Sequence, residues 1–157
     1  MPTLSPILCW SGGGVANVLV IDDDPAVRAT IEVVLRRDNH AVILADNGRK
    51  GLQLLQSGQF DLLIVDLFMP DMDGLEIVGH VKKSHSDLPI IVISGHYSGT
   101  GPAPDFLHMA TKLGAIYSLQ KPFRPAQLMS AVIKCLDRPP DASASPNAMP
   151  GNASSEA

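Results

Sequence analysis

Cysteine is almost missing from this chain. Cys9 and Cys135 stand at its opposite ends, so their spacing defines no disulfide framework, and both are read as reduced thiols of a cytosolic protein. Long apolar runs are missing as well: none approaches the ~20 residues that cross a bilayer, which argues against a membrane protein. The start of the chain has neither a basic opening nor a sustained apolar stretch, since Ile7-Leu8-Cys9-Trp10 is too short for a signal sequence. Positive charge is in deficit. Twelve Lys and Arg stand against sixteen Asp and Glu, a formal charge of −4 with no concentrated basic face, which argues against DNA or RNA as a partner. There is no internal repeat. What is present is 45% hydrophobic residues in 157, enough for one domain with a proper core and a soluble, cytoplasmic protein.

Composition divides the chain in three. Residues 1–16 carry no charge and include Ser11-Gly12-Gly13-Gly14, which predicts a flexible lead. Residues 139–157 are Pro, Ala, Ser, Asn and Gly with hardly an apolar side chain, which predicts a disordered tail. Residues 17–138 form the expected folded domain, and no effector domain is expected after Arg138.

Within that domain five short apolar runs alternate with five helical patterns. The runs are Val18-Leu19-Val20-Ile21, Ala41-Val42-Ile43-Leu44, Leu62-Leu63-Ile64-Val65, Ile90-Ile91-Val92-Ile93 and Ile116-Tyr117-Ser118-Leu119. Runs of β-branched residues and leucine without polar alternation belong to strands buried on both faces, as in a parallel sheet covered by helices. The fifth, with Tyr117 and Ser118, is expected at an edge. Asp24-Pro25 reads as an N-cap and first helical residue, opening a helix with the stripe Val27, Ile31, Val34, Leu35. A second helix is expected over residues 48–56, with Leu52 and Leu55 inward, and a third over 75–83, with Ile77, Val78 and Val81. Phe106, Met109, Ala110 and Leu113 follow the i, i+3, i+4, i+7 spacing of a fourth inward stripe, and Leu128, Ala131, Val132 and Leu136 mark a fifth. Asp46-Asn47-Gly48 is read as a turn, and Asp71 and Asp73 as solvated loop acids. Fivefold strand–helix alternation predicts an α/β fold with a doubly wound sheet.

In such a sheet function collects outside the carboxyl ends of the strands. Asp22 and Asp23 follow the first run, Asp66 the third, Ser94 the fourth, and Gln120-Lys121 the fifth. Three acids, a hydroxyl and a lysine therefore emerge at one edge. Two carboxylates about 6 Å apart repel by about 3 kcal/mol at an effective dielectric of ~20, so three in one pocket call for a cation. All-oxygen ligands with room for water suit Mg²⁺. A carboxylate can attack phosphorus, and the transfer then depends on positioning and on neutralising charge. The five histidines show no ligand spacing and are assigned to no metal.

Val18-Leu19-Val20-Ile21-Asp22-Asp23-Asp24-Pro25, Asp66-Leu67-Phe68-Met69-Pro70-Asp71-Met72-Asp73-Gly74, Ile93-Ser94-Gly95 and Lys121-Pro122-Phe123 closely resemble the four motifs of the bacterial response-regulator receiver family. The resemblance spans about residues 18–136 and is closest to single-domain, chemotaxis-type members. It implies a flavodoxin-like (βα)5 fold with strand order 2-1-3-4-5 and a cis peptide between Lys121 and Pro122. It implies Asp66 as the phosphoacceptor and Mg²⁺ held by Asp23, Asp66 and the backbone carbonyl of Phe68, with Asp22 acting through water. Lys121, Ser94 and the Gly95 N–H would contact the phosphoryl group. The implied donor is a histidine kinase or histidine phosphotransfer protein, and the chain would be a phosphoacceptor rather than an enzyme in its own right.

The resemblance departs from the family pattern in three places. Ser118 stands where the family carries a switch aromatic; Tyr117, one residue earlier, faces the other way on a strand. The segment after Ser94 is longer than usual, the excess falling in Gly95-His96-Tyr97-Ser98-Gly99-Thr100-Gly101-Pro102, and Phe68 and His96 occupy the positions that tune phosphoryl lifetime. The expected output surface is therefore that loop with the fourth helix, acting on a downstream protein. A phosphatase of the haloacid-dehalogenase type would carry an acid where Phe68 stands, and a dinucleotide-binding domain would carry a glycine-rich turn where Asp22-Asp23-Asp24 stands. The alternatives that remain are a phosphate sink in a relay and a phosphorylation-independent pseudo-receiver, although the acids and the lysine are all present.

Overall fold

Five strands and five helices alternate in the computed structural model, which describes residues 15–95 and 105–137. The strands are β1 (Asn17–Ile21), β2 (Ala41–Ala45), β3 (Leu62–Asp66), β4 (Ile90–Ser94) and β5 (Tyr117–Gln120). They form one parallel sheet in the order β2-β1-β3-β4-β5, the order that the resemblance implied. Alternate side chains of each strand enter opposite cores. Val18, Val20, Ile64, Ile91 and Ile93 pack against Ile31, Leu35, Leu128 and Val132 on one side. Leu19, Ile21, Leu63, Val65 and Val92 pack against Leu55, Ile77, Val78 and Val81 on the other. Helices on both faces explain why β3 and β4 are buried along their whole length and carry no polar alternation.

The helices are α1 (Pro25–Arg37), α2 (Gly48–Ser57), α3 (Gly74–Ser84), α4 (Phe106–Leu113) and α5 (Pro125–Leu136). Asp24 caps α1 as expected, its carboxylate accepting the Ala26 N–H at 2.9 Å. Two residues read as turn or loop are caps as well. Asn47 accepts the Lys50 N–H at 2.8 Å to open α2, and Asp73 accepts the Leu75 N–H at 3.0 Å to open α3. Gly114 ends α4 at φ 122°, a left-handed conformation that suits glycine. The Lys121–Pro122 peptide is cis, as the resemblance implied.

Of the stripe expected on α4, the side chain of Phe106 lies outside the described residues, and the rest is only partly buried. Ala110 is fully enclosed, whereas Met109 and Leu113 are 46% and 44% exposed. The reason lies in position: α4 contacts β4, β5 and α3 at the margin of the sheet, so much of its circumference has no neighbour among the described residues. Ile116, expected to open the fifth strand, precedes β5, although its N–H still donates to Ile90 O at 2.8 Å. β5 lies at the sheet's edge, and Tyr117 packs with the α1–α5 core while Ser118 is exposed. The ring of Tyr117 thus faces away from the place an aromatic at 118 would take, and Lys134 Nζ sits 5.9 Å from its centroid.

At the opposite end of the sheet the fold begins earlier than composition suggests. Ala16, assigned to the flexible lead, is fully buried, accepts the Ala41 N–H at 2.9 Å and donates its own N–H to His40 Nδ1 at 3.2 Å. The earlier part of the lead and the tail lie outside the described residues. His40 is buried, and burial lowers its pKa below 6.5 against the opposing charges of Asp38 and Asp61. A lowered histidine contributes stability that is complete above pH 6.5 and is lost as pH falls through its folded value. The unaltered chain should therefore lose its stability advantage over His40→Asn on acidification below pH 6.5, measured by urea unfolding at a series of pH values. A gap that stays constant from neutral to acidic pH would contradict this.

Candidate functional site

From β1 the sheet extends to β2 on one side and to β3 on the other, and a crevice opens outside the carboxyl ends at that reversal. Asp22 and Asp23 leave β1, Asp66 closes β3, Ser94 closes β4, and Lys121 follows β5. One carboxylate oxygen from each of Asp22, Asp23 and Asp66 lies within 4.8 Å of the others. Asp22, Asp66 and Ser94 are buried, and Asp23 is exposed. Lys121 Nζ lies 3.3 Å from Oδ2 of Asp22 and 3.3 Å from Oδ2 of Asp66.

Backbone groups set these side chains. Asp22 Oδ1 accepts the Asp24 N–H at 2.9 Å, and Asp66 Oδ1 accepts the Phe68 N–H at 3.2 Å. The Lys121 N–H donates to Ser94 O at 2.8 Å, which ties the exit of β5 to that of β4. Gly95 lies beside the lysine stem, where an added Cβ would stand 3.6 Å from Lys121 Cδ. Gly74 has a stricter reason to be glycine: an added Cβ would run into the carbonyl oxygen of Asp66 and the Cα of Leu67. Its own N–H donates to Leu67 O at 3.1 Å, so α3 is seated directly on the turn that follows Asp66.

Of the two close approaches to Lys121, only that of Asp66 is aligned as a hydrogen bond. Asp22 Oδ2 is buried with no hydrogen bond, although it pairs ionically with the ammonium. An orphaned buried carboxylate oxygen is costly to keep, and the clustering of one oxygen from each of the three acids matches the donor set of a hard cation. The residues present therefore fit Mg²⁺. Asp22, Asp23, Asp66 and Lys121, singled out in the sequence, converge here, with Ser94 and Gly95 next to the lysine. His96 and the rest of the long loop to position 104 lie outside the described residues. Sequence reasoning missed Arg28, whose Nη1 donates to the backbone carbonyl of Asp22 at 2.7 Å. The available signal was a cation in the first turn of the helix that follows the acids.

A family model described as the response regulator receiver domain matches residues 18–133. The chain belongs to the response regulator receiver family. The transcriptional regulatory protein GlrR of Escherichia coli K12 is 31% identical over 123 residues, 78% of this chain but 27% of GlrR. The DNA-binding transcriptional regulator NtrC of Azospirillum brasilense is 36% identical over 141 residues, 88% of this chain and 27% of NtrC. The chain thus spans about a quarter of the length of these curated relatives, and the likeness to them is one of receiver to receiver. Among solved structures, chemotaxis protein CheY4 of Vibrio cholerae matches with a TM-score of 0.69 at 29% identity, covering 78% of this chain and 99% of that one. A response regulator from Chloroflexus aurantiacus J-10-fl matches with a TM-score of 0.72 at 29% identity, covering 80% and 100%.

Burial in the receiver pushes Asp66 up to about 6, and the charge of Asp22 adds to the shift while Lys121 and the Phe68 N–H oppose it. Burial also raises Asp22, against the Asp24 N–H and Lys121. For Lys121, burial works downward, but the carboxylates of Asp22 and Asp66 outweigh it and the net direction is up. The pocket is short of positive charge. In magnesium-free buffer the Asp66 carboxyl, followed by carbon NMR, should titrate with a midpoint near 6, and Asp22→Asn should move that midpoint down. A midpoint near 3.8, or an upward movement in Asp22→Asn, would contradict this account of the pocket.

Proposed function

We propose that Asp66 of this receiver accepts a phosphoryl group from the phosphohistidine of a histidine kinase or histidine phosphotransfer protein, and that the phosphorylated domain switches a protein partner. The observation that carries the reading is the convergence of Asp22, Asp23 and Asp66 within 4.8 Å beside Lys121. A carboxylate oxygen of Asp66 attacks phosphorus, the P–N bond to the donor imidazole breaks, and the imidazole departs with its electron pair. The nucleophile must be ionised, and with a pKa of about 6 Asp66 is mostly carboxylate at neutral pH.

Asp23, Asp66 and the Phe68 carbonyl would hold Mg²⁺ directly and Asp22 through water, and the ion would supply positive charge to the phosphoryl oxygens. Lys121, already between Asp22 and Asp66, offers its ammonium to the incoming phosphoryl group. The Ser94 hydroxyl, at the end of the strand tied to Lys121, and the Gly95 N–H just beyond it would be further donors to the phosphoryl group.

Output is proposed through α4 and the loop before it, onto a protein rather than DNA. Exposed Met109 and Leu113, four residues apart on one helix, support that surface, and the formal charge of −4 speaks against a nucleic-acid partner. Among the described residues no helix is long and apolar enough to cross a membrane, and the proposed site of the reaction is the cytoplasm.

Incubation with acetyl phosphate and Mg²⁺ should give one phosphoryl adduct by intact mass, absent in Asp66→Asn and when EDTA replaces the metal. An adduct undiminished in Asp66→Asn would overturn the assignment.

A further inference from the structure

The side chain of Asp23 is the least supported of the three acids. It is exposed, and among the described residues no hydrogen bond reaches its carboxylate, whereas Asp22 and Asp66 each accept a backbone N–H. Its direction into the cluster therefore depends on the backbone that carries it. The peptide unit joining Asp22 to Asp23 is planar, so holding the Asp22 carbonyl oxygen also fixes the orientation of the Asp23 N–H and Cα. Arg28 Nη1 grips that oxygen at 2.7 Å.

The position of Arg28 is not explained by the helix it sits on. It lies in the first turn of α1, where a cation opposes the positive end of the helix dipole. It is partly buried with its guanidinium turned back toward the exit of β1, and it does not cover the outer surface of the helix. A charged donor on a carbonyl makes a stronger tether than a neutral one.

From these contacts we infer that Arg28 is a positioning residue for the metal site, aiming Asp23 by holding the Asp22–Asp23 peptide. The inference rests on the reading of the acidic cluster as a Mg²⁺ site. It also has a rival of opposite sign. If Arg28 mattered only as a positive charge beside the acids, removing it would tighten Mg²⁺ binding, because the cation would meet less repulsion. If it positions Asp23, removing it weakens binding.

The test is Mg²⁺ titration of the full chain by calorimetry, comparing the unaltered protein with Arg28→Met and Arg28→Lys at a temperature where circular dichroism shows each folded. Arg28→Met should weaken Mg²⁺ by about tenfold, within the range typical for residues that support a metal ligand. Arg28→Lys, which keeps a donor, should weaken it less. With acetyl phosphate, the Mg²⁺ concentration that gives half the maximal phosphorylation rate should rise in Arg28→Met in step with the calorimetric constant. Binding that is unchanged or tighter in the variants overturns the inference alone. Failure of the unaltered chain to bind Mg²⁺ overturns the functional reading and this inference with it. If Arg28→Met does not fold, the Arg28→Lys titration decides by the same sign.

Discussion

Lys121 is set between two carboxylates that the sheet buries at its edge, and much of the architecture follows from that crowding. Its ammonium stands 3.3 Å from both Asp22 and Asp66 yet aligns with only one of them. Charges this close repel or attract by several kcal/mol at an effective dielectric of ~20, so one cation cannot settle two buried anions and a third at the rim. The surplus negative charge is the chemical property of the pocket. It raises Asp66 toward neutrality and makes a divalent cation the natural complement of the pocket.

Holding that arrangement requires a stiff frame. The apolar strands supply it: β3 and β4 are buried end to end and deliver Asp66 and Ser94 to fixed places at the sheet's edge. The loops beyond are pinned by backbone donors at Asp24, Phe68 and Lys121, and by α3 seated on the Asp66 carbonyl at Gly74. Burial of the two carboxylates works against the stability of the sheet that presents them, a common cost of a preorganised site.

The strands were legible because a doubly covered strand has no choice but to be apolar, and the acids were legible because each stands directly after such a run. Strand order was not readable from the runs themselves and came only with the resemblance. Met109 and Leu113 show the limit of helical periodicity. The spacing says which residues share a face, but only the position of α4 at the sheet's margin decides whether that face has a neighbour. Asn47 and Asp73 suit a turn or loop as well as a cap, and only the following N–H geometry separates the two. Arg28 escaped because its partner is a backbone carbonyl, which leaves no mark in the pattern of side chains.

The fold ionises Asp66 only at a cost, which a cation in the pocket would relieve. Its folded pKa is raised from 3.8 to about 6, so stability is lost as pH rises between those values and the full cost is present above them. The direct measurement is thermal unfolding at pH 8 of the unaltered chain and of Asp66→Asn, with and without Mg²⁺. Without metal, Asp66→Asn should melt at the higher temperature, and Mg²⁺ should raise the unaltered chain more than the variant and narrow the gap. A metal-free Asp66→Asn that melts at or below the unaltered chain would contradict the account.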